Sequence, residues 1–249
     1  MHASATRPPG VNRYSTLART SARPRTSACD ATFPLTFVAE RKTIISVPNM
    51  QKPLHDIELI IAAVDSPVRV ECTRAAQRIR RNQCTTVGLI PASAQIGVVG
   101  AGINLAVAMA ELTGSTVAYV DANLRWPALP ALVGESPDDE DDPTLGSAFS
   151  TRWLRGDVAL LVPRSRAVHA SGLAALAKVL VSAKEVFACC LVDLTGWTRL
   201  GEHLTAFTLL DGLVVVAHKG LSTEDELLQL CQELPEGRNL GVMLLGAAV

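Results

Sequence analysis

From residue 50 to residue 249, short apolar runs alternate with longer stretches of helical period. Runs of strand length fall at Thr86–Ile90, Thr116–Asp121, Val158–Val162, Phe187–Asp193, Gly212–Ala217 and Gly241–Leu245. They are continuously apolar rather than alternating, the pattern of strands buried on both faces. Helical patterns lie between them at Val98–Leu112, Ser171–Glu185, Gly201–Leu210 and Thr223–Leu234, and another, Val68–Arg81, precedes the first strand. Ser222 is the expected N-cap of Thr223–Leu234, with Glu224, Asp225 and Glu226 in a first turn where the helix dipole favours acids. The alternation predicts an α/β domain with a doubly wound, mostly parallel sheet and flanking helices. In such sheets ligands sit beyond the carboxyl ends of the strands, so the residues just after each strand are where chemistry is to be sought.

Composition sharpens this picture. The chain has 249 residues, 48% of them hydrophobic, and a mean hydropathy of +0.25, which excludes wholesale disorder. Aromatic residues are only 4%, so the core must rest on Ala, Val and Leu. A formal net charge of −1 leaves no basic footprint for nucleic acid, and no nucleic-acid partner is expected. The stretch from Asn82 to Ala110 carries no charge, but Pro91, Ser93, Gln95, Asn104 and several glycines interrupt it. It reads as strand, loop and buried helix rather than a membrane span.

Residues 1–49 stand apart. Seven basic residues against two acids give this segment a charge of +5, and it holds twelve Ser or Thr and five Pro with no sustained apolar period. The expectation is a disordered basic arm at 1–49 ahead of one folded domain at 50–249. Two other readings stay open: an Arg- and Ser-rich targeting peptide, and translation that starts at Met50. The six cysteines (Cys29, Cys72, Cys84, Cys189, Cys190 and Cys231) have neither C-x-x-C spacing nor a nearby His, and read as reduced thiols in a cytosolic protein. The acidic run Pro137–Pro143 reads as a solvated loop.

The loop after the first strand, Pro91-Ala-Ser-Ala-Gln-Ile-Gly97-Val-Val-Gly-Ala-Gly102, joins a strand to a helix N-terminus, the setting of a phosphate cradle. A working cradle of the P-loop kind needs a Lys for the β- and γ-phosphates and a Ser or Thr hydroxyl for Mg²⁺. No Lys occurs between Lys52 and Lys178, and Val98 and Val99 follow Gly97 where those residues would stand. Such a donor is commonly worth several kcal/mol of transition-state stabilisation, so efficient phosphoryl transfer is not expected. Gly97, Gly100 and Gly102 then read as positions of close helix–sheet packing, with weak anion binding by backbone N–H groups left open.

After the second strand comes Val120-Asp121-Ala122-Asn123-Leu124-Arg125-Trp126-Pro127. This closely resembles the D-A-D-L-R-R-P signature of the bacterial tyrosine autokinases of capsule and exopolysaccharide synthesis, in the ParA/MinD-like branch of P-loop ATPases. Further likenesses run from about Val68 to Gly246: Asn104-Leu-Ala after the loop, Leu191-Val-Asp193-Leu-Thr as the second acidic motif, Asp211-Gly-Leu-Val-Val-Val and Leu240-Gly-Val-Met-Leu-Leu-Gly as later strands, and Glu71-Cys-Thr-Arg74 as the E-x-x-R helix. The resemblance implies the P-loop type of α/β fold. It places Gly97, Val98, Val99 and Asp121 at nucleotide-binding positions as vestiges, Asp121 and Asp193 at the Mg²⁺ positions, and Glu71, Arg74 and Arg125 at an interface. The departures are equally specific. Val98 and Val99 replace the P-loop Lys and Ser, Asn123 replaces an Asp, and Gly196-Trp197 follows Thr195 where the family has Pro-Pro. The only tyrosines are Tyr14 and Tyr119, so the tyrosine-rich tail of the family has no counterpart.

Other residues carry simpler expectations. Arg125 is set to pair with Asp121, to meet a partner or to lie on the surface; Trp126 and Trp197 either cover the cleft or pack in the core. His169, His203 and His218 have no nucleophile beside them, Ser93 lacks a G-x-S-x-G elbow, and Cys189-Cys190 reads as strand packing. By resemblance the chain is a non-catalytic regulator or scaffold of exopolysaccharide or capsule synthesis or export. It would need no cofactor, with residual Mg-ATP or Mg-ADP binding left open. Its partner would be a membrane polysaccharide co-polymerase or a glycosyltransferase, with self-association open, and its place the cytoplasm or the inner membrane face through that partner. A weak ParA/MinD-type switch ATPase using Asp121 and Asp193, and a structural partner protein unrelated to polysaccharide, are the alternatives.

Overall fold

The computed structural model describes residues 57, 61, 66–133, 148–164 and 172–246. The arm 1–49, the acidic run 137–143, Cys29 and His169 lie outside them. In chain order the elements are α1 (Ser66–Arg81), β1 (Thr86–Pro91), α2 (Val99–Thr113), β2 (Val117–Asp121), α3 (Leu129–Val133), β3 (Phe149–Leu154), β4 (Val158–Pro163), α4 (Gly172–Val186), β5 (Cys189–Asp193), α5 (Trp197–Leu200), α6 (His203–Phe207), β6 (Gly212–His218), α7 (Glu224–Glu233) and β7 (Asn239–Leu245).

The strands form one sheet in the order β3-β4-β2-β5-β1-β6-β7. All neighbours are parallel except β3 and β4. Every residue of β1, β2, β4 and β5 is buried, as continuous apolar runs require. Their side chains alternate between two apolar layers. Val87, Leu89, Val117, Tyr119, Cys189 and Leu191 join α1 and α2 on one face. Ile90, Ala118, Val120, Cys190 and Val192 join α4, α5, α6 and α7 on the other. The vicinal cysteines thus point into opposite layers, and burial pushes the Cys190 thiol up to about 12 and that of Cys189 higher. They pack, as expected of a thiol in a core strand. Among the described residues no helix is long and apolar enough to cross a membrane.

Four local expectations need correction. The strand β3 falls outside every predicted run. It pairs antiparallel with β4 through a tight turn in which Arg155 and Gly156 both take positive φ, 54° and 79°. The strand expected from Phe187 begins at Cys189. The helix expected over Gly201–Leu210 reduces to His203–Phe207, because Gly201 (φ 68°) ends α5 instead of opening α6. The N-cap of α7 is Thr223, not Ser222. The Thr223 hydroxyl accepts from Glu226 N at 3.2 Å while the Glu226 carboxylate accepts from Thr223 N at 2.9 Å, a capping box. Ser222 instead accepts from His218 N at 3.0 Å.

The connection out of β1 crosses β5 to reach β2, and the connection out of β5 crosses β1 to reach β6. The windings diverge between these two strands, and their carboxyl ends open the crevice where α/β sheets bind ligands.

Candidate functional site

Three loops meet at that crevice: 92–98 after β1, 122–128 after β2 and 194–196 after β5. The loop after β2 is folded by its own acid. One oxygen of Asp121 accepts from Asn123 N at 3.2 Å, and the other from Ala128 N at 2.7 Å and Leu129 N at 2.9 Å. The Asn123 amide oxygen accepts from Trp126 N at 3.1 Å. An Asp and an Asn that bond backbone N–H groups a few residues on are what shape such turns. The run Asp121–Pro127 is thus a self-contained loop whose carboxylate is occupied by main chain.

Asp193 lies beside Asp121 in strict register on the neighbouring strand. It is equally buried. Its oxygens accept from Thr195 N at 2.8 Å and from the Tyr119 hydroxyl at 2.7 Å. Burial drives both acids upward, and the charge of Asp193 adds to the shift of Asp121, whose carboxyl is pushed up to about 7 against three opposing N–H bonds. Burial, with Asp193 next, raises Tyr119 well above its ordinary range, so it stays a phenol donor. Nothing in the local sequence of β2 signals this structural use of Tyr119. The ring fits only because Gly102 of α2 carries no side chain, since a Cβ there would overlap Cε2 of Tyr119.

Gly102 therefore fulfils the packing role expected of it. Gly97 does not: it is exposed, and a Cβ there would meet nothing within 4 Å. Val98 follows it fully buried in the α1–α2 layer, and Val99 packs partly against that layer. Val98 precedes the first turn of α2 with no side-chain cap. Asn104 bonds back into its own helix, its amide donating to Gly100 O at 2.8 Å. No ammonium or hydroxyl stands at 98 or 99, and the two acids already hold internal donors. Among the described residues no group of three His, Cys, Asp or Glu side chains is placed to hold a metal ion.

What the crevice does expose is a different set of residues. Ala94 from the first loop, Asn123 and Trp126 from the second, Gly196 from the third, and Thr198 and Arg199 from α5 line a cleft of about 250 Å³. Trp197 pins the third loop to the second: it is buried, and its indole N–H donates to Ala122 O at 3.1 Å. Trp197 is thus core and Trp126 is cleft wall, 57% exposed. Arg125 does not pair with Asp121. Its guanidinium stands 6.0 Å from the centre of the Trp126 ring. Glu71 and Arg74 pair with each other on the outer face of α1, at 2.5 Å. They are on a separate element from Arg125, which lies in the loop after β2. His203 bonds Glu233 at 3.2 Å and His218 bonds Lys219 O at 2.7 Å, both structural roles.

No family model matches the sequence, and no curated protein is similar to it. Solved structures are. The kinase domain of the Escherichia coli tyrosine kinase ETK superposes with a TM-score of 0.61 at 16% identity, covering 81% of this chain and 82% of that one. The VpsO kinase domain gives 0.58 at 14% identity, over 78% of this chain and 99% of that one. The BceF tyrosine kinase domain gives 0.52 at 17%, over 73% and 76%. The seven-stranded, mostly parallel sheet with its flanking helices is the α/β fold of the bacterial tyrosine kinase domains.

Proposed function

We propose that this chain is a non-catalytic relative of those kinase domains, a regulator or scaffold in exopolysaccharide or capsule synthesis or export. The observation that carries the reading is Val98. It sits where the likeness to the kinases calls for the phosphate-binding Lys, and its side chain is fully buried in the apolar layer. Val99 brings no hydroxyl for Mg²⁺. Asp121, the acid that would attend the cation, spends its lone pairs on Asn123, Ala128 and Leu129. A chain so built works through its surfaces, and its partner is a membrane polysaccharide co-polymerase or a glycosyltransferase. The resemblance to the capsule and exopolysaccharide kinases supports that partner class; the neighbouring folds are tyrosine kinase domains.

The test is calorimetric titration of Mg-ATP and Mg-ADP into the full chain. The expected result is no heat of binding at millimolar nucleotide, weaker than about −4 kcal/mol. Micromolar binding would overturn the reading and favour the nucleotide-switch alternative, for which the register of Asp121 with Asp193 speaks.

A further inference from the structure

The cleft at the carboxyl ends of β1, β2 and β5 has a consistent chemistry. No acid is among its lining residues. Arg199 and Trp126 both line it, and the Arg125 guanidinium stands 6.0 Å from the centre of the Trp126 ring. Neither guanidinium has a carboxylate partner among the described residues. The two acids nearest the strand ends, Asp121 and Asp193, are buried, bonded to internal donors and outside the lining, and burial favours their neutral forms.

The cleft is also built rather than incidental. Arg199 belongs to the single turn α5, held between two left-handed glycines, Gly196 (φ 86°) and Gly201 (φ 68°). Trp197 in the same turn is locked to Ala122. Gly196 in turn faces the Asn123 amide, to which a Cβ would come within 3.5 Å. The wall carrying Arg199 is therefore fixed against the wall carrying Trp126 without a ligand. An exposed Trp beside unpaired Arg is the composition of protein-contact hot spots. At about 250 Å³ the cleft is smaller than the ~300–1,000 Å³ of small-molecule sites and suits one or two side chains.

We propose that this cleft is a docking pocket for an acidic peptide segment of a partner protein, with an Asp or Glu against Arg199 and a flanking apolar residue on Trp126. The assignment deepens the scaffold reading and rests on it. It names the surface through which the chain would act and the chemistry of what binds there.

The experiment is selection of a displayed random-peptide library on the full chain, followed by fluorescence anisotropy of the enriched peptide in labelled form. The expected outcome is enrichment of acidic peptides with an adjacent apolar or aromatic residue. Their affinity falls as salt is raised, and drops about tenfold in both Arg199→Ala and Trp126→Ala. Both side chains are exposed, so these variants keep the fold, which circular dichroism verifies. Arg74→Ala, on the outer face of α1, leaves the affinity unchanged. Failure to enrich, enrichment of neutral or basic peptides, or an affinity indifferent to Arg199→Ala each overturns the proposal. Displacement of the peptide by micromolar inorganic phosphate overturns it in favour of a small-anion site. Micromolar Mg-ATP binding that leaves the peptide in place sinks the non-catalytic reading instead, so the two failures are distinguishable.

Discussion

Two acids sit at opposite ends of the same sheet and collect the same number of close donors, yet their carboxyl groups move in opposite directions. At the amino end, Asp211 accepts from Thr85 N, the Thr85 hydroxyl and Thr86 N at 3.0, 2.7 and 2.9 Å. Partial burial pulls it up, but those bonds outweigh the pull and hold it below its ordinary value. At the carboxyl end, Asp121 accepts three N–H bonds of similar length and is nevertheless pushed up to about 7. Asp211 also has a hydroxyl donor and the Lys184 ammonium at 3.9 Å, but the larger difference is the deeper burial of Asp121 and its neighbour Asp193. One acid is a strap that is better charged. The other is a strap that is better neutral, in the place where a kinase-like site would want a charge.

The largest test of this contrast is the pH dependence of stability. Asp121 is raised in the folded chain from 3.8 to about 7, so the fold binds more protons than the unfolded chain across that window. Its contribution is fully present near pH 4 and is lost as pH rises toward 7, by roughly 4 kcal/mol at most. Urea unfolding across this range should show the fall in the native chain and a shallower fall in Asp121→Asn, the remainder carried by Asp193, which burial also raises. A native chain that gains stability over the same window would refute the assignment. Asp211 works in the opposite sense: its contribution is present above its ordinary value and fades only as pH drops through the lowered one.

Next in size is Gly102→Ala. The added methyl has to displace the buried Tyr119 ring, at a cost of about 3 kcal/mol seen as a lower thermal midpoint. A neutral result would mean that the ring is not held where the Asp193 bond requires. Tyr119→Phe should cost about 1–2 kcal/mol, because it strips a donor from a buried carboxyl. If Asp193 is protonated in the native chain at neutral pH, that cost shrinks toward zero, which sharpens the account of the pair. Asp211→Ala should cost about 1 kcal/mol, less than an equivalent change at Asp121, since the site is half open to water. The smallest effect is expected at Gly97→Ala, within about 0.5 kcal/mol of neutral in the same melts, since nothing surrounds that position and its φ needs no glycine.

The parallel strands were legible because burial on both faces leaves a continuous apolar run, as in Val158–Pro163. The strand β3 was not. Phe149-Ser-Thr-Arg-Trp-Leu154 alternates weakly and exposes Trp153, and only its pairing with β4 makes it a strand. Its one local signal is the turn sequence Arg155-Gly156-Asp157. The box Thr223-x-x-Glu226 was also on the page, one residue beyond the Ser chosen as cap. Asp121 and Asp193 were found by resemblance, and their adjacency follows from the strand order. Their occupation by backbone donors does not, because it depends on how loop 122–128 curls back. The meeting of the motif residue Asn123 with Thr198 and Arg199 was invisible for a different reason. They are drawn from a loop and a helical turn some seventy residues apart and meet only when β5 inserts beside β2, with Trp197 closing onto Ala122.

That insertion has a consequence for how the chain is made. Within the sheet β5 is the sole bridge between the β3-β4-β2 half and the β1-β6-β7 half. On the ribosome, β1 and β2 emerge long before Cys189–Asp193 is synthesised, and until then neither has its central neighbour. Only the β3–β4 hairpin pairs strands close in sequence. The nascent chain must therefore carry the uncharged strand β1 without either of its sheet neighbours, and β2 with β4 alone, until β5 is made, a period in which delayed long-range pairing exposes a chain to misassembly.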